Sequence, residues 1–198
     1  MMKMILFISL ELCLVYSLPA QTDAVKEYRN FPIVVTLQFH SLSLPFRDLK
    51  ANFSNVGIGL GTEVSYNGKH NWAQQLTLAW YRNRAIGDGL LLYTQSAWRP
   101  AATSGVYAEI KAGLGYLYAF RPVKSYRQQN GDWVSAGHKG KGMLAVPAGI
   151  SLGYDDYSSD ICFSPFASYQ FLLAKGYNKS IPLVPETLIQ AGTRMHFK

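Results

Sequence analysis

The sequence predicts an all-β chain that folds as an eight-stranded antiparallel up-and-down transmembrane β-barrel. Three observations predict it: a leader-like N-terminus, apolar residues at alternate positions through segments of about ten residues, and connections that alternate between short and long. An aromatic content of 14% favours β structure, and 198 residues correspond to one ordinary domain.

The leader comes first. Lys3 opens a short basic region, Ile5 to Leu18 is apolar, and Ala20 is followed by polar Gln21 and Thr22. Residues 1–20 therefore read as a signal peptide and residues 21–198 as the barrel domain. An N-terminal membrane anchor fits less well, because the apolar run is shorter than the ~20 residues a spanning helix needs and Glu11 interrupts it. Cys13 is no lipoprotein cysteine, since Glu11 and Leu12 stand where small residues are wanted. Cleavage near Ala20 leaves Cys162 alone, so neither an intramolecular disulfide nor a cysteine-based metal site is expected, and no cofactor is implied. Beyond the leader no apolar window reaches spanning-helix length, so a membrane crossing would have to use a closed barrel.

The segments follow in order. Val56 to Tyr66 carries Val56, Ile58, Leu60, Thr62, Val64 and Tyr66 on one row and Gly57, Gly59, Gly61, Glu63 and Ser65 on the other, a period no helix produces. Asn67-Gly68 is a hairpin signal, and after it Trp72, Leu76, Leu78 and Trp80 oppose Ala73, Gln75, Thr77, Ala79 and Tyr81. From Val106 to Phe120 the even positions are apolar and the odd ones include Tyr107, Glu109, Lys111, Gly113 and Gly115. Leu144 to Tyr154 repeats the pattern, with Pro147 on the inner row predicting a local irregularity in the ladder. Phe31 to Leu44, Leu90 to Trp98, Ile161 to Leu173 and Glu186 to Phe197 bring the total to about eight strands.

The connections agree. Pro45 to Phe53, Pro122 to Gly140 and Ala174 to Pro185 are long, Arg84 to Asp88 is intermediate, and Asn67 to His70, Pro100 to Thr103 and Asp156 to Ser159 are short. Short turns belong to the periplasmic side, which places both termini there. A soluble lipocalin-like barrel would point its apolar rows inward; here the rows between the apolar ones carry glycine and charge, and Trp and Tyr lie near the ends of the apolar rows.

With leader, alternation, turn rhythm and a last segment, Leu188 to Phe197, that alternates back from its aromatic, the mature chain resembles small outer-membrane barrels of OmpA and OmpX type. The departure is Lys198, which follows the terminal aromatic. The resemblance implies a bacterial outer-membrane location, the outer-membrane insertion machinery as a partner, and contact with membrane lipid and lipopolysaccharide.

Two groups of residues stand out. Glu63, Glu109, Lys111, Arg194 and His196 fall on inward rows near the periplasmic end, so opposite charges meet inside a barrel just wide enough to be filled by side chains. A structural ion-pair network accounts for them, with a gated proton or ion path as the alternative. Arg127, Trp133, His138 and Lys139 lie in the longest connection, where basic groups of a chain with net charge +7 would face lipopolysaccharide phosphates. A secretion signal and membrane strands argue against nucleic acid.

The sequence thus implies a non-enzymatic barrel, a structural or accessory subunit of a larger outer-membrane complex, with a lipid A-modifying hydrolase as the alternative. Barrels that deacylate lipid A carry His and Ser two apart on a strand. Two after His40 stands Leu42, and Ser41 and Ser43 face the other way. A wide porin is excluded by size, since water-filled channels come with about sixteen strands.

Overall fold

The computed structural model describes residues 31–42, 44, 53, 55–67, 71–83, 87–100, 105–120, 125–137, 140–155, 161–177 and 182–197. The leader, residues 1–20, lies outside them. Ten strands follow in order: β1 (Ile33–Ser41), β2 (Asn55–Ser65), β3 (Trp72–Tyr81), β4 (Gly89–Trp98), β5 (Val106–Ala119), β6 (Ser125–Gln129), β7 (Asp132–Gly137), β8 (Lys141–Tyr154), β9 (Ile161–Lys175) and β10 (Leu183–Phe197). Eight of them close a barrel in the order β1-β10-β9-β8-β5-β4-β3-β2, and β6 and β7 form a separate two-stranded hairpin. Every pairing is antiparallel, and closure is made by β1 on β10 from Ile33↔Met195 to Ser41↔Thr187.

The two-residue period becomes two faces. On β2 the row of Ile58 and Leu60 is about 60% exposed, while Glu63 on the alternate row is 5% exposed. Leu76, Leu92, Ile110, Ile150 and Leu152 continue that exposed apolar belt around the wall. In water such a belt would expose far more contiguous apolar surface than soluble monomers carry; in hydrocarbon it needs no cover. Strands β1 to β4, at 9 to 11 residues, match the length a tilted strand needs to cross a bilayer. Aromatic pairs flank the belt at both ends. Trp72 and Trp98 lie 6.3 Å apart at the end that carries the termini; Tyr118 with Phe120, and Phe39 with Phe53, lie at the opposite, loop end.

Prolines sit where the ladder can spare a donor. Pro147 pairs with Leu172 on β9, but between Ala112↔Ala148 and Gly115↔Ala145 two pairs with β5 are missing and the register is unchanged. The expected irregularity is thus a gap in one seam rather than a bulge. Pro165 and Pro185 occupy stretches of β9 and β10 that overhang β8 and β1, so the missing N–H faces no strand.

Two expectations need correction. The connection from Pro122 to Gly140 is not all loop: β6 and β7 pair within it around Asn130 (φ 53°) and Gly131 (φ 93°), positive φ at both central positions as a type I′ turn requires. The last connection is shorter than Ala174 to Pro185, because β9 runs to Lys175 and β10 starts at Leu183.

Candidate functional site in the barrel lumen

The inner rows of β2, β3, β5, β8 and β10 converge near the end that carries the termini, and charged, amide and hydroxyl side chains from them meet there. Arg99, one residue past β4, continues the inner row of that strand and is 8% exposed. It grips Glu63 with both terminal nitrogens, at 2.9 Å to Oε1 and 2.5 Å to Oε2, and donates through Nε to Glu109 Oε2 at 2.6 Å. Arg194 repeats the motif from β10: Nε donates to Glu63 Oε2 and Nη2 to Glu109 Oε2, each at 3.0 Å, and Nη1 donates to the Tyr107 hydroxyl. Two carboxylates and two guanidiniums thus form a closed ring across the lumen. Gln75 donates to both carboxylates, at 3.3 Å to Glu63 and 3.2 Å to Glu109, and the Ser151 hydroxyl donates to Glu109 at 3.3 Å.

Aromatic rings pack this ring of charge. The Tyr107 ring lies 5.5 Å from the Arg99 guanidinium and 5.4 Å from that of Arg194, which also stacks 4.4 Å over Phe166. Small residues make the room. A Cβ on Gly153 would overlap the Tyr107 ring and hydroxyl, and one on Gly192 would stand 2.8 Å from the Phe166 ring, closer than carbon atoms approach.

The structure places Glu63, Glu109, Lys111 and Arg194 together, with Lys111 Nζ 3.6 Å from Glu109 Oε1. His196 follows on the Arg194 row one step nearer the open end, buried at 8% exposure. The sequence reading missed Arg99. Its signal was present, since the inner row of β4 extends one step past Trp98.

Above this layer the lumen changes character. Gln170, Gln190 and Gln38 hand hydrogen bonds across the middle of the barrel, Gln170 to Gln190 at 2.5 Å and Gln190 to Gln38 at 3.0 Å. Leu91, Leu117, Leu172 and Leu188, all buried, then fill the loop half. There His40 stacks on Tyr81 at 3.9 Å; its Nε2 lies 2.9 Å from Glu186 Oε2 and its Nδ1 3.4 Å from Asn83 Nδ2. His40 thus faces the lumen, engaged by an acid and an amide.

A search of solved structures decides the fold. The chain superposes on Neisserial surface protein A with a TM-score of 0.57 at 12% identity, covering 85% of this chain and 98% of that one. The fold is that of a small outer-membrane barrel. The N-terminal barrel domain of OprF from Pseudomonas aeruginosa (TM-score 0.48, 16% identity, 86% and 100% covered) and Ail of Yersinia pestis (TM-score 0.48, 16% identity, 85% and 98% covered) match more loosely. No protein-family model matches the chain, and no curated protein does.

On this outer-membrane-type barrel the second group of predicted residues lies at the loop end. Trp133 in β7 is 70% exposed and Tyr126 in β6 60%, and the β6–β7 register puts both on one face of the hairpin. Arg127 pairs with Val134 across it. His138 and Lys139 lie outside the described residues. Among the described residues no group of three His, Cys, Asp or Glu is placed to hold a metal ion.

Proposed function

We propose that this chain is a non-enzymatic integral protein of the bacterial outer membrane, exported by the leader 1–20 and inserted by the outer-membrane assembly machinery with both termini periplasmic. It serves as a structural or accessory subunit of a larger outer-membrane complex. Its β6–β7 hairpin, with Arg127, Trp133 and the following His138 and Lys139, is its contact surface toward lipopolysaccharide and partner protein.

The observation that carries this reading is the filled lumen. Among the described residues, buried Glu63, Arg99, Glu109 and Arg194 bridge the barrel at one end and buried leucines pack the other, which supports a lumen filled by side chains. This favours a role for the outer surfaces, and among the described residues the exposed aromatic face of the hairpin is a part that lies outside both the apolar belt and the lumen. The hydrolase alternative loses support because His40 is fully buried beside Glu186.

Extraction in mild detergent followed by a native gel tests it. Comigration with a large complex, abolished by Trp133→Ala, is the expected result. A lone monomer under all extraction conditions contradicts the accessory role.

A further inference from the structure

Lys111 is a buried cation that the ion-pair ring does not absorb. It is 4% exposed, and its ammonium stands 3.6 Å from Glu109 Oε1, beyond ordinary hydrogen-bond length. That carboxylate has nothing left to offer. Oε2 already accepts from Gln75, Arg99 and Arg194, and Oε1 from Ser151 and Arg194, against about four acceptor sites on a carboxylate. Nearby the Phe166 ring lies 5.8 Å from Nζ, a weak partner for a full charge.

Beside Lys111 lie two hydroxyls that make no hydrogen bond within the protein. Lys111 lines an internal cavity of about 20 Å³ together with Thr36, Thr62, Gln75 and Arg194. The hydroxyls of Thr36 and Thr62 are buried and have no partner within the protein. Three cations, Arg99, Lys111 and Arg194, also converge here on two carboxylates, Glu63 and Glu109, while half-buried Asp155 stands beyond them at the open end. One positive charge is thus in excess in the lumen, and a desolvated charge that is not fully matched is costly.

We propose that this cavity binds one small monovalent anion of chloride size, held by Lys111 Nζ and the hydroxyls of Thr36 and Thr62. Hydroxyls rotate to donate, and a cavity of this volume takes one water-sized or chloride-sized species. A water would satisfy the hydroxyls but leave the cluster with its excess positive charge; an anion satisfies both.

Crystals of the wild-type barrel grown with bromide in place of chloride test this without any variant. A bromide anomalous peak between Lys111, Thr36 and Thr62 is expected; a halide-free cavity holding only water overturns the proposal. In detergent, the wild-type melting midpoint should lie about 3–6 °C higher in chloride, at ten times its dissociation constant, than in gluconate of equal ionic strength. Lys111→Met should lose that difference and exposed Lys175→Met should keep it. If Lys111→Met does not fold, Thr36→Val serves instead and should weaken the chloride response. A wild-type midpoint indifferent to chloride counts against the site.

Discussion

Glu109 accepts from two arginines, a glutamine and a serine while 1% exposed, and removing it leaves both guanidiniums and Lys111 to share the single carboxylate of Glu63. Breaking a buried pair in this way costs about 3–5 kcal/mol, because the remaining charge keeps its desolvation penalty. Glu109→Ala should therefore lower the temperature at which the folded band disappears on a heat-modifiability gel; an unchanged profile would show that the ring carries no stability. Glu63 and Arg99 make the two-pronged contact, so Glu63→Gln and Arg99→Met should be strongly non-additive in a double-mutant cycle, with a coupling of about 1–3 kcal/mol. Additive losses would mean that the two act separately. Much of this site can be read from alternation, because a period of two assigns Glu63, Glu109, Lys111 and Arg194 to the inside once each strand is found. Arg99 escapes only because it lies one residue past its strand. The His40–Glu186 contact escapes for a deeper reason: its partners are 146 positions apart, and no single strand encodes the register that joins them.

Elements behave according to what their neighbours take from them. Pro147 denies β5 a donor, and the two missing pairs beside it mark the weak point of the β5–β8 seam. Pro147→Ala supplies an N–H there, and amide exchange at Gly113, which stands opposite it in the register, should slow; unchanged exchange would place the cause of the gap elsewhere. Gly153 presents a different constraint, since any side chain on it meets the Tyr107 ring. Gly153→Val should displace that ring from the two guanidiniums and destabilise the barrel by about 1–3 kcal/mol, measured by urea unfolding in detergent. The β6–β7 hairpin is separate from the wall, so Gly131→Val should abolish its exchange protection by disfavouring φ of 93°, while the melting midpoint of the barrel stays put. Its Asn130-Gly131 turn is as plain a hairpin signal as Asn67-Gly68, but the segment lacks the alternating apolar row that marks the barrel strands and reads as loop.

At the scale of the whole molecule the interior and exterior have exchanged the roles they play in a soluble protein. Charged and amide groups are inside, many of them hydrogen-bonded to one another and capped by leucines in the loop half, and Ile, Leu and Val cover the wall. That inversion explains why the fold is so legible: every strand of an up-and-down barrel must show the same two rows, and every second connection must be short. What surrounds the molecule is not encoded as a periodicity, which is why partner and ligand have to be sought by experiment. The membrane-spanning arrangement is tested most directly by nitroxide labels placed one at a time at Leu60, Leu78 and Ile150, on the belt, and at Trp133, on the hairpin, in a Cys162→Ser background after reconstitution into bilayers. The three belt positions should collide with oxygen dissolved in lipid and be shielded from a water-soluble nickel reagent, with Trp133 showing the reverse; belt positions open to the nickel reagent would contradict the account.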